Sequence, residues 1–322
     1  MLALEQIESF KKTYSNDIVT TELATVSCLE NNFTVESIEL AIHQHSQEKE
    51  FSLLLVAGVH GLEWIGVTVL LHFLSHLIET TKWNSDVRNM LSKARVVAIP
   101  ALNPTGLARQ TRSTHEGIDL MRNAPISAES PVPFLGGQTL SPLLPYYKGT
   151  GELAEESKAL ISTVQKLLRE SKGLIALDLH SGFGARDRIW TPWAMSTALP
   201  PHWKHYMQLE ETLNNSFPSH VYKFEKQSDS YQTDGDLWDY VLYESMQRSD
   251  QLFMPLTLEM GSWNWLKKAP WQALSKTGWF HPKATHRVQR VCRRHTTLID
   301  FLVSVCANGS GFFSDRNLLK KD

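Results

Sequence analysis

Apolar positions along the chain follow two rhythms. Residues 51–59 and 173–179 are almost unbroken apolar runs, as in strands buried on both faces. Shorter runs at 94–100 and 254–258 read the same way. Between these runs, 64–78, 152–171 and 283–306 read as helices, the second opening on acidic residues that suit a helix N-terminus. A short amphipathic helix is predicted over 4–14. Residues 23–44 alternate as two strands with Asn31-Asn32 as their turn. Residues 221–224 form a brief apolar stretch before a polar loop that reaches Tyr231. The tail after Ala307 shows no pattern.

Strand and helix in alternation predict an α/β fold, a mixed, mostly parallel central sheet with helices on both faces. One domain is expected to span residues 1–322. The stretch 103–150 is rich in Pro, Gly, Ser, Thr and Arg and has little periodicity. A loop that long inside a compact domain is usually functional or disordered.

Three buried strands end on a chemically apt residue: His60, His180 and Glu259. In open α/β sheets that edge is where ligands bind. His60 and Glu63 flank a strand-to-helix turn, and Gly61 between them permits a tight one. With His180 from another strand they make a His2Glu set, one known solution for a catalytic zinc that keeps a position for water. Asp178 lies two residues before His180, on the same strand face. His72 and His76, at helical spacing, lack a third ligand. His202 and His205 read as surface, and His281, His286 and His295 have no strand-end placement.

The 322 residues are 42% hydrophobic and 20% charged, with a net charge of −2. That is enough apolar material for a large core. The balance suggests no nucleic-acid partner. No apolar run approaches the ~18 residues that span a bilayer, so no membrane partner is expected. Cys28, Cys292 and Cys306 give neither a disulfide framework nor a paired-cysteine metal site. The polar N-terminal stretch has no apolar signal region, so the expected location is cytoplasmic.

In order, the motifs resemble the zinc carboxypeptidase family. The matches are His60-Gly61-Leu62-Glu63, Asn103-Pro104-Thr105-Gly106, Arg109-Gln110-Thr111-Arg112 and Gly117-Ile118-Asp119-Leu120-Met121-Arg122-Asn123. Then come Asp178-Leu179-His180-Ser181, Tyr231-Gln232-Thr233-Asp234-Gly235 and Leu256-Thr257-Leu258-Glu259. The resemblance implies one zinc ion per chain on His60, Glu63 and His180, with Glu259 as general base. It implies that Arg109, with Arg112 as the alternative, faces the developing oxyanion. Arg122 would grip a substrate carboxylate, and Tyr231 would close over the substrate. The segment 146–159 and the Asp178-Leu179-His180-Ser181-Gly182-Phe183-Gly184 run resemble bacterial members, including murein peptide amidases.

One position departs. The family has Asn before the arginine matching Arg122; here it is Met121. An amide hydrogen-bonds a carboxylate, which a thioether hardly does. The family's pocket-floor position falls on Trp238, which would favour small or flat side chains; nearby Asp236 would favour a basic or amino-bearing group. The leading expectation is a zinc metallopeptidase acting on a small peptide. The alternative is an aspartoacylase- or succinylglutamate desuccinylase-like hydrolase of an N-acylated amino acid. A non-catalytic module on the same scaffold would have lost His180 or Glu259, and both are present.

Overall fold

The computed structural model describes residues 2–42 and 49–314. Its strands are β1 (Ile18–Cys28), β2 (Asn31–Leu40), β3 (Lys49–Ala57), β4 (Arg95–Ile99), β5 (Ser171–Ser181), β6 (Arg188–Thr191), β7 (Lys223–Lys226) and β8 (Leu252–Met260). Its helices are α1 (Ala3–Thr13), α2 (Trp64–Trp83), α3 (Ser85–Lys93), α4 (Pro104–Arg109), α5 (Glu155–Glu170), α6 (Trp203–Ser216), α7 (Leu237–Arg248), α8 (Trp263–Lys268) and α9 (Thr285–Asn308). The strands form one sheet in the order β1-β2-β4-β3-β5-β8-β6-β7. The central four, β4-β3-β5-β8, run parallel.

The alternation of side chains along β3 and β5 explains their unbroken apolar runs. Leu53, Leu55 and Ala57, with Ile175, Leu177 and Leu179, pack under α2 and α9. Leu54 and Val56, with Leu174 and Ala176, pack under α5 and α7. Both faces are covered, so every position must be apolar until the strand leaves the core. That happens at the C-terminal edge, where β5 changes to Asp178 and His180 on its α7 side. The fold class matches the expectation.

Some local expectations differ. The first hairpin turns at Leu29-Glu30, not at Asn31-Asn32; Asn31 and Asn32 already pair with Cys28 and Ser27. Leu29 takes the left-handed conformation, φ 56°, that a tight turn demands. The expected end of β2 at Gln44 lies outside the described residues, as does the tail from 315. Short β6 and helices α3, α6 and α7 are not among the expected elements. The stretch 103–150 folds on buried amides: Asn123 Nδ2 donates to the carbonyls of Lys148 and Glu152, and its Oδ1 accepts from Ala154 N.

Gly61 does not occupy the left-handed region. Its role is close approach: a Cβ there would lie 1.9 Å from the Gly106 carbonyl carbon. Asn103 Nδ2 donates to Val59 O across the same contact. The turn carrying His60 and Glu63 is therefore set against the backbone of α4. Gly61→Ala should displace that turn. Such overpacking costs about 1–3 kcal/mol, a fall of a few degrees in Tm for a chain of this size, with loss of bound metal. A melt and a metal content equal to the parent's would refute the contact.

Candidate active site

His180 and Glu259 are register partners on β5 and β8, and Glu259 follows Phe253 and Thr257 on the α7 side of its strand. His60 and Glu63 arrive from the β3–α2 turn, Glu63 as the residue that starts α2. One ligand atom from each of His60, Glu63 and His180 lies within 4.8 Å of the others, and all three residues are buried. Among the described residues no other group of His, Cys, Asp or Glu converges this way.

Each ligand is held from behind. His180 Nδ1 faces Glu63 Oε2 at 3.1 Å, and its Nε2 faces Asp178 Oδ2 at 2.8 Å. Glu63 Oε2 also accepts from Ser181 N at 2.8 Å. His60 Nδ1 lies 3.8 Å from Asp119 Oδ1 and makes no hydrogen bond. Two histidines and a carboxylate with an unpartnered ring nitrogen are the donor set that zinc accepts. Burial opposes a charge on His180, but Asp178 and Glu63 outweigh it and raise its pKa well above the usual value. The two carboxylates thus favour positive charge where a divalent cation would sit. Burial lowers the His60 pKa, helped by Arg112, which keeps that ring neutral.

Asp119 is fully buried and accepts from Arg112 Nε at 2.7 Å and from Met121 N at 3.1 Å. Burial disfavours its charge, yet Arg112, His60 and Arg122 overcome that and hold its carboxyl below the usual range. Glu259 Oε1 accepts from Phe183 N at 2.8 Å. Burial, then the charge of Glu63, pushes its pKa up to about 8.

These groups line a cavity of about 470 Å³ that also takes in Arg122, Met121, Tyr146 and Tyr231. Arg122 is buried, its Nε donating to Leu135 O and its Nη1 to Met121 O. The Tyr231 ring lies 5.9 Å from Phe183 and 6.0 Å from Trp190.

Two expected placements need correction. Arg109 is exposed, and its Nη1 donates to His115 O. Gln110, left-handed at φ 54°, ends α4 and turns the chain, so Arg112 reaches the cavity instead. There it stacks 4.9 Å over Tyr146, with Nη1 3.9 Å from Glu63. Trp238 does not line the cavity. It is buried beneath the site, and its indole N–H donates to Asp178 Oδ2 at 2.8 Å. Asp236 does line the cavity; its Oδ1 caps α7 and its Oδ2 has no partner. Asp119 was within reach of the sequence, since it stands inside the segment that ends in Arg122. Tyr146 stood in the 146–159 segment without a role, and Phe280 had no signal beyond being aromatic.

Among the described residues no helix is long and apolar enough to cross a membrane. The chain is 37% identical to carboxypeptidase D of Anas platyrhynchos over 62 residues, and 26% identical to carboxypeptidase M of Mus musculus over 84. Those stretches are 19% and 23% of this chain, and only 4% and 19% of the two relatives. Among solved structures, bovine thrombin-activatable fibrinolysis inhibitor superposes with a TM-score of 0.64 at 18% identity, covering 97% of this chain and 96% of that one. Carboxypeptidase A of Helicoverpa armigera gives 0.65 at 14%, covering 94% and 71%. A metallo-carboxypeptidase of Burkholderia cenocepacia gives 0.57 at 13%, covering 96% and 69%. At such identities these structures speak for the fold alone. The family model for zinc carboxypeptidases matches residues 6–268, the whole sheet and every residue that lines the cavity up to Glu259. The chain belongs to the zinc carboxypeptidase family.

Proposed function

We propose that this metal-dependent peptide hydrolase binds one zinc ion per chain and removes the C-terminal residue of a small peptide. The observation that carries the reading is the convergence of Arg112, Arg122, Tyr231 and Glu259 on the cavity that holds the His60–Glu63–His180 triad. A zinc ion in the triad supplies a Lewis acid that makes water a better nucleophile and polarises a carbonyl.

The protein's own groups do the rest. Arg122 pairs with the substrate's terminal carboxylate, for which its planar fork is suited. Its guanidinium is aimed by the carbonyls of Leu135 and Met121. Tyr231 closes the wall beside it. Arg112, fixed by Asp119, presents a cation to the oxyanion that develops on the scissile carbonyl; a preorganised charge there favours the transition state over the ground state. Glu259 takes the proton of the attacking water and gives it to the departing amine. Asp178 orients His180, and Trp238 orients Asp178, so the indole acts on the triad through two hydrogen bonds. Asp236 puts a carboxylate on the cavity wall near Arg122 and favours a terminal residue with an amino-bearing side chain.

Purified protein should carry one zinc per chain, and Glu63→Ala should lose it. Trp238→Phe keeps the ring but not the N–H. Its zinc affinity, read by chelator competition, should fall about 10–100-fold, with a modest fall in Tm from the lost buried hydrogen bond. Phe253→Leu, which thins the packing on that ring, should lower Tm and leave zinc affinity alone. Equal zinc affinity in Trp238→Phe and the parent would remove the indole from the chain of support.

Glu259→Gln should fold and bind zinc, while kcat drops about 10²–10⁴-fold. A kcat within a few-fold of the parent's would exclude Glu259 as the base.

Peptides with a free C-terminus should be cleaved about 10–100-fold better than their C-terminal amides, the value of a charge-assisted pair with Arg122. Among free peptides, Lys-terminated ones should be cleaved better than Glu-terminated ones. Asp236→Asn, which keeps the helix cap, should shrink that preference. Hydrolysis of N-acyl amino acids with none of peptides would replace this reading with the amidohydrolase one.

A further inference from the structure

Residues 260–299 contain no Asp or Glu but eight Lys and Arg, in a chain whose net charge is −2. Two of the eight are engaged: Arg294 Nη1 pairs with Asp187 at 2.6 Å, and Arg287 donates to the carbonyls of Trp265 and Lys268. Lys267, Lys268, Lys276, Lys283, Arg290 and Arg293 are exposed, and none joins an ion pair with a described residue. Large apolar side chains stand among the lysines, Trp271 71% exposed and Leu274 90%. So much unneutralised charge and bare indole on one segment is unusual for a surface that only meets water.

The segment is fastened at both ends beside Gly182 and Phe280, partly exposed residues of the cavity wall. Trp263 N donates to Gly184 O at 3.0 Å, and its indole N–H to Gly182 O at 3.2 Å. At the other end, Ser181 Oγ donates to Phe280 O at 2.8 Å. Gly182 and Phe280 themselves line the cavity. Lys267, Lys268 and Lys276 therefore lie on the stretch between two anchors on the rim, beside the strand end that presents His180.

We infer that this rim binds the part of the substrate that stays outside the cavity, and that this part is an acidic peptide chain carrying apolar side chains. The inference rests on the exopeptidase reading: a peptide whose last residue fills the cavity must leave by the mouth, and its preceding residues then cross the rim. Complementary charge attracts such a chain, and the indoles and Leu274 give its apolar groups a seat. A flat lipid surface pressed on the same rim would cover the mouth.

The test uses the zinc-loaded full chain and three peptides that share one C-terminal dipeptide. Four Glu, four Ser or four Lys precede it, with one Leu in each. At low ionic strength the Glu-led peptide should have a KM about tenfold below the Ser-led one, and the Lys-led peptide a higher KM. The gap should close at high salt, because exposed charges are screened. Charge reversal in Lys267→Glu/Lys268→Glu/Lys276→Glu should invert the order of the three KM values. Cleavage of all three peptides with equal KM, or an order untouched by the charge reversal, overturns the inference and leaves the exopeptidase reading standing. Cleavage of none overturns both. Equal KM values together with sedimentation on phosphatidylglycerol vesicles, but not on phosphatidylcholine vesicles, would give the surface to a lipid headgroup instead.

Discussion

The site depends on one constraint: β5 and β8 are parallel and in a register that sets His180 opposite Glu259. Parallel pairing brings both strand ends to the same edge, and equal parity turns both side chains to the α7 face. A shift of one residue would send one of them to the opposite face, beneath α2. The register is secured behind the chemistry by the apolar ladder from Leu174–Phe253 to Leu177–Leu256. Burial of the ladder is what places Glu259 beside His180.

Charge is the second constraint. Glu63, Asp119, Asp178, Asp236 and Glu259 are all buried around a cavity that holds two guanidiniums, those of Arg112 and Arg122. Buried carboxylates are costly unless paired. Asp119 has Arg112, Glu63 has Ser181 N and His180, and Asp178 has Trp238 and His180. The sum still favours a cation, which is why the His180 pKa rises despite its burial. Burial, and after it the charge of Glu63, pushes the Glu259 pKa up. A site of this composition calls for a divalent ion and sets a buried carboxyl group beside it.

What could be read from the sequence follows the same division. Strand ends were legible because a fully buried strand must stay apolar until it leaves the core, so Asp178, His180 and Glu259 stand out as interruptions. Residues on the loops were less legible. Arg109 and Arg112 are alike in composition and spacing, and the choice lies in the left-handed turn at Gln110, which nothing in that residue type announces. Trp238 aligned with a pocket-floor position, yet it serves Asp178 from below. The partner that decides its role is 60 residues away in the chain, so no local pattern could carry it. The order of β6 and β7 at the far edge of the sheet was hidden for the same reason.

Met121 connects the interior to the rim. Where an Asn amide would add a donor to a bound carboxylate, this chain offers a thioether, and in the proposed exopeptidase reading the terminal carboxylate is left mainly to Arg122. Arg122 is well placed but saturated on one side by the carbonyls of Leu135 and Met121. A pocket with fewer donors binds its terminal residue less tightly, so affinity has to come from elsewhere on the substrate. Binding energy gathered remotely can position the reacting bond as effectively as energy gathered beside it. The lysines and indoles between Trp263 and Phe280 lie where a peptide leaving the cavity would pass. On the proposed reading, the loss at Met121 and the charge on the rim are two sides of one arrangement, in which recognition moves outward from the last residue to the chain behind it.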